Sequence, residues 1–265
     1  MDALSVITYW TTFPFRAGLL PCLRKALLPL VCAALWAGGT HAQNDPGKAE
    51  RSFGKIRAVA GSSRVRVRTD RGKPWHMKLF FPKNPSAKAL VIALHWAGDG
   101  DTYELYHDCL AEPAMRDWGV IIASPENEGQ AWHSQNNQEK IGDLVRYAVK
   151  FWGVRPDRIA ITGYSNGGHG SWYYAEHHPE WFCASIPMAT AYLPRKKLEV
   201  PVYAMHGEQD ELFPLANSAK WARMGRELGS QVRWQVLPGL GHYAPCSYMP
   251  YLRDSETWLK NTWKP

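Results

Sequence analysis

Asp157-Arg158-Ile159-Ala160-Ile161-Thr162-Gly163-Tyr164-Ser165-Asn166-Gly167-Gly168 is the stretch on which the reading of this chain turns. Ile159 to Thr162 is a short apolar run, the signature of a buried strand, and the residues after Gly167 are able to form a helix. Ser165 stands between them at a sharp strand-to-helix turn. A side chain thrust out at such a turn holds its backbone in a strained conformation, so the positions two residues to either side must be nearly free of side chain. Gly163 and Gly167 meet that need, which makes Ser165 a candidate nucleophile. Taken alone, the five residues also fit a glycine-rich turn with an incidental serine.

A serine hydroxyl is a poor nucleophile at neutral pH and needs a base, usually a histidine oriented by a carboxylate. Both partners follow in order. The strand-like run Val200-Pro201-Val202-Tyr203-Ala204-Met205 ends in His206-Gly207-Glu208-Gln209-Asp210, and Val232 to Leu237 ends in Gly239-Leu240-Gly241-His242. In an open parallel sheet all strand C-termini share one rim, where ligands bind. Ser165, Asp210 and His242 are expected to meet there, with Glu208 and Glu211 as nearby competitors for the acid role.

Serine, acid and histidine in that order, each after its own strand, resemble the α/β-hydrolases. The residues around Ser165 are most similar to the secreted esterases grouped with polyhydroxybutyrate depolymerases, feruloyl esterases and peptidases, over roughly residues 75 to 263. The resemblance implies an α/β-hydrolase fold, a mostly parallel sheet with helices on both faces. It favours Asp210 as the acid and implies no cofactor. A tetrahedral intermediate needs preorganised donors, each worth ~2.7–4 kcal/mol. One is expected from the N–H of Asn166. The other, by resemblance, comes from Ala97 in the loop His95-Trp96-Ala97-Gly98. Trp96 departs from the usual glycine there, and its indole either reshapes the loop or walls the acyl pocket. Trp96, Trp132 and Trp172 flank the expected rim loops and are candidate substrate contacts, against the alternative that they are packing anchors.

The chain has 265 residues, 45% of them hydrophobic, which suits one enzyme domain with a full core. Residues 1–42 read as a signal peptide: Arg24-Lys25, an apolar run from Ala26 to Ala37, then small residues to Ala42. The run is too short to span a bilayer, which takes ~20 residues. A polar extension, 43–62, and a catalytic domain, 63–265, complete the expected organisation of a secreted or periplasmic protein. Export would leave Cys109, Cys183 and Cys246 in an oxidising compartment. Three cannot all pair. A disulfide from Cys246 to Cys183 or Cys109 would brace the histidine loop, and three buried thiols are the alternative. Spacings typical of zinc sites are missing, so no metal is expected.

The formal net charge is +7, or +5 once the leader is removed. Basic residues concentrate between Arg51 and Lys73. The alternation Arg64-Val65-Arg66-Val67-Arg68 reads as an edge strand protected by charge, with an anionic polymer or membrane surface as the second reading. Nothing resembles a nucleic-acid module.

Further strands are expected near Trp75–Phe81, Ala89–Leu94, Gly119–Ser124 and Ala184–Ala189, the last weakened by Pro187. A helix with Ile141, Leu144, Val145, Ala148, Phe151 and Trp152 on its buried face should stop at Gly153. His177-His178 should be a solvated helix end. The short segment Thr190 to Glu199 leaves no room for a sizeable lid, so bulky or polymeric esters should reach the site. The expected activity is hydrolysis of small-molecule or polymeric carboxylic esters through an acyl-enzyme. A peptidase or thioesterase on the same fold, and a non-catalytic binding protein, are the alternatives.

Overall fold

The computed structural model describes residues 47–84 and 88–263, so the expected leader lies outside the described residues. Eight strands form one sheet in the order β1-β2-β4-β3-β5-β6-β7-β8. They are β1 (Gly61–Arg68), β2 (Pro74–Phe81), β3 (Leu90–Leu94), β4 (Ile121–Pro125), β5 (Ile159–Tyr164), β6 (Ala184–Met188), β7 (Val202–Gly207) and β8 (Val232–Leu237). β2 is antiparallel to both β1 and β4, and every other pair is parallel. Strands β3 to β7 are buried at every residue, as strands covered on both faces must be. Successive side chains point to opposite faces, so Leu90, Ile92 and Leu94 join one core while Ala89, Val91 and Ala93 join the other.

Pro187 lies inside β6 despite its missing N–H. The residues on either side carry the ladder instead: Ser185 N–H donates to the Pro201 carbonyl and Ala189 N–H to the Met205 carbonyl, each at 3.0 Å. The donor that proline lacks is therefore skipped without loss of the strand.

The helices used below are α1 (Lys48–Phe53), α2 (Thr102–Tyr106), α3 (Glu112–Met115), α4 (Gln135–Trp152), α5 (Asn166–His177) and α6 (Leu215–Glu227), with a π turn, His107–Ala111, joining α2 to α3. Ser134 Oγ accepts the Asn137 N–H at the start of α4, and Gly153 at φ 67° ends it as its sequence implies. Ile141, Leu144 and Ala148 are buried as expected, but Phe151 lies at the helix end, exposed and stacked on Tyr147. His177 is exposed, whereas His178 stacks on Trp181 at 4.1 Å between centroids.

The expected polar extension is not an appendage where it is described. Its residues 48–53 form α1, and Phe53, fully buried, packs against Trp75 and Tyr147. One large aromatic in a polar stretch is enough to dock the helix, because burying such a ring is worth ~1.5–3 kcal/mol. Residues 189–201 join β6 to β7 without a helix, so no lid rises there.

Candidate active site

β5 delivers Ser165 to the rim with φ 55° and ψ −114°, a conformation that L side chains rarely adopt. The crowding expected around it is present. A Cβ on Gly163 would run into the Gly167 carbonyl, and one on Gly167 into the Leu94 carbonyl at the end of β3. The Ser165 N–H donates to the Met188 carbonyl at 3.0 Å, tying the turn to β6.

β7 and β8 bring the other two side chains to the same place. Ser165 Oγ–H donates to His242 Nε2 at 2.9 Å, and His242 Nδ1–H donates to Asp210 Oδ2 at 2.9 Å. All three residues are nearly buried, which strengthens these bonds by excluding competing water. Asp210 Oδ1 accepts the N–H groups of Leu212 and Phe213 at 3.0 and 2.7 Å. Burial opposes the charged carboxylate. The bonds from His242 and Phe213, with the fields of His242 and His206, outweigh it and hold the Asp210 carboxyl below its ordinary range.

The two competing acids hold the histidine loop by its backbone. Glu211 Oε2 accepts the His242 N–H at 2.6 Å, and Glu208 Oε2 accepts the Gly239 N–H at 3.0 Å. From the opposite side, Tyr164 Oη–H donates to the His242 carbonyl at 2.7 Å. His206, fully buried, donates from Nε2 to the Phe213 carbonyl at 2.7 Å and stacks on Trp234, fixing the turn that carries Asp210. Burial lowers its pKa, against the bond to Phe213 and the field of Asp210. Sequence reasoning missed these four supports. The Glu residues were visible only as rivals for the acid role, and nothing around Tyr164 or His206 marks them.

A disulfide joins Cys109, in the π turn, to Cys246, four residues past His242, with Cα atoms 5.3 Å apart. Cys183 is a free, half-buried thiol whose pKa burial pushes up to about 11.

The loop after β3 is tightly held. His95 Nδ1–H donates to the Trp96 carbonyl at 2.7 Å, His95 Nε2 accepts the Asn127 N–H at 3.3 Å, and Trp132 Nε1–H donates to the His95 carbonyl at 3.0 Å. The Trp96 indole is half-buried, edge-on to Tyr106 and Tyr164, so it packs into the core on that face. Ala97 follows it, exposed, and Asn166 opens α5 directly after Ser165. Trp132 and Trp172 are corrections to the expected substrate contacts. Trp132 is 1% exposed and props the His95 loop, and Trp172 is buried in a stack on Tyr192. Neither ring presents a face to a ligand.

Among the described residues, His107, Asp108 and Glu112 bring ligand-capable atoms within 4.8 Å of one another. They already bond Ser124, Lys78 and Ser62 respectively.

The phospholipase/carboxylesterase family matches residues 101–256, more than half of the chain. The chain belongs to that family. It is 24% identical over 220 residues to a protein of Arthroderma benhamiae described as an uncharacterized secreted protein, over 65% of this chain and 23% of that one. It is also 29% identical to acyl-protein thioesterase 1 of Gibberella zeae, over 47% of this chain and 55% of that one. The chain thus spans less than two thirds of either relative. A thermostable esterase of known structure superposes with a TM-score of 0.62 at 22% identity, covering 76% of this chain and 62% of that chain. This likeness shows the α/β-hydrolase fold. No helix among the described residues is long and apolar enough to cross a membrane.

Proposed function

We propose that this protein is an exported serine esterase that hydrolyses carboxylic esters through an acyl-enzyme. One observation carries the reading: the unbroken hydrogen-bonded chain from Ser165 through His242 to Asp210, with its serine in a strained turn. His242 takes the proton of Ser165 as the hydroxyl attacks the carbonyl, and returns it to the departing alcohol. Asp210 keeps the imidazole in the tautomer that leaves Nε2 free to accept, and stabilises its cation. The N–H groups of Asn166 and Ala97 hold the oxyanion. Water then repeats the cycle to release the acid. No cofactor enters these steps.

Family membership supports ester chemistry, and the apolar run and small residues before Gln43 support export. The disulfide fits an oxidising compartment. The thioesterase relative favours a second reading, cleavage of thioesters by the same groups, because an acyl-enzyme forms from either. Competing hydrolysis of matched p-nitrophenyl ester, thioester and anilide substrates tests the proposal. Ester turnover should lead and should vanish in Ser165→Ala. Faster thioester turnover would move the assignment, and no turnover of any would remove it.

A further inference from the structure

Beside β1, the edge strand of the sheet among the described residues, α1 and the segment after it enclose a cleft of about 670 Å³. Six cations line it: Lys48 and Arg51 three apart on α1, Lys55 and Arg57 from the segment after it, and Arg66 and Arg68 from the strand. We propose that this cleft binds a linear acidic polysaccharide, whose carboxylates or sulfates pair with these side chains.

Protection of a sheet edge accounts for arginines on β1 itself. It does not account for a second wall of like charge facing them, which adds repulsion that an anion would relieve. Nearby acids are turned to other partners. Glu50 bonds Lys150 at 2.6 Å, and Asp70 accepts the Ala49 N–H at 3.2 Å. No acid lines the cleft among the described residues, and none of Lys48, Lys55, Arg57 or Arg66 makes an ion pair there.

The shape and chemistry of the lining choose among polyanions. An anionic bilayer presents a flat surface that pairs best with cations projecting from the protein, whereas these cations line a concave cleft. Single-stranded nucleic acid is gripped by aromatic side chains on which bases stack, and the lining holds none. Direction favours a polymer that also reaches the reactive serine. Two antiparallel pairings make β1 run the same way as β4 and β5, so Arg68 ends on the rim that carries Ser165. β1 is four strand spacings from β5, ~19 Å along the sheet. Past Arg68 a second cleft of about 360 Å³ runs from Thr69 toward Gln130 and Ser134, lined by amides and hydroxyls suited to sugar hydroxyls and by Arg71, Lys73 and Glu139, the carboxylate of Glu139 being paired with Arg71 at 3.6 Å. The cleft would tether an esterified acidic polymer; that consequence rests on the esterase reading, and the binding itself does not.

The test is titration of fluorescent oligogalacturonate, with heparin oligosaccharide as the sulfate arm, into the full exported chain. Dextran and anionic phospholipid vesicles are run beside them. At least one acidic oligosaccharide should bind, weakening as salt rises toward the ~8 Å screening length of 0.15 M. The triple variant Lys55→Gln/Arg57→Gln/Arg66→Gln should lose at least tenfold in affinity while its turnover of a small neutral ester and its melting temperature stay those of the wild type. Ser165→Ala should bind as the wild type does, which separates failure of this site from failure of the hydrolase. Arg57→Gln alone, should the triple variant fold poorly, should still weaken binding severalfold. Equal binding of dextran, vesicles bound in place of polymer, no binding at low salt, or unchanged affinity in the variants would each overturn the proposal.

Discussion

His95 gives the account a quantitative test in acid. It follows β3 directly, at 1% exposure, and uses both ring nitrogens in the neutral form, Nδ1–H toward the Trp96 carbonyl and Nε2 toward the Asn127 N–H. A second proton on Nε2 would point at that N–H. Burial is the main cause lowering its pKa, opposed by the bond to Trp96 and aided by the field of Lys140, and brings it from the ordinary ~6.5 to about 4. A group whose pKa is lowered by folding binds fewer protons in the folded chain than in the unfolded one. Its stabilising effect is therefore complete above ~6.5 and is lost as the pH falls from there toward about 4. At ~1.4 kcal/mol per tenfold, the loss between about pH 7 and about pH 4 comes to about 3 kcal/mol from this residue. His95→Gln does not titrate. Its amide oxygen can still accept the Asn127 N–H, and loss of the bond to Trp96 should cost about 1 kcal/mol at neutral pH. The two stability curves should therefore cross, the variant becoming the more stable by about 2 kcal/mol near pH 4. Urea unfolding of both proteins across this range, disulfide intact, measures the difference directly. Parallel curves would refute the claim that His95 is held neutral by burial.

Three further outcomes follow from the packing. Glu211→Gln weakens the bond that holds the His242 backbone, so kcat should fall about three- to tenfold at unchanged KM, and a raised KM with intact kcat would contradict its positioning role. Phe53→Ala should destabilise the chain by ~3–5 kcal/mol in denaturant unfolding, and a loss under ~1 kcal/mol would mean that α1 is not docked on the core. Replacing Cys109 and Cys246 together by serine opens a loop of 137 residues and should cost ~2–5 kcal/mol, seen as a lower melting temperature that reductant reproduces in the wild type; melting insensitive to reductant would refute the bridge.

Much of this architecture was legible in the residues. Buried parallel strands announce themselves as short apolar runs, and all eight expected strands lie in the sheet. The glycines two residues on either side of Ser165 answer to a steric need that operates within five residues, so a local pattern suffices to find it. Long-range partners leave no such trace. Cys109 and Cys246 are drawn together by helix packing, which sequence spacing does not encode, so the pairing stayed open until the fold placed them. α1 was hidden because its polar residues read as an extension while only Phe53 and the small Ala49 supply its anchor. Trp132 was misread because an indole near the rim suits either a pocket or a prop. Its ring nitrogen bonded to the His95 carbonyl decides for the prop.

The central claim is that Ser165 is made nucleophilic by His242 and Asp210, and reaction with a fluorophosphonate followed by peptide mass mapping tests it most directly. One adduct is expected, on the peptide carrying Ser165, absent in Ser165→Ala and formed far more slowly in His242→Ala. No adduct on the wild type, or an adduct that persists on another residue when Ser165 is replaced, would contradict it.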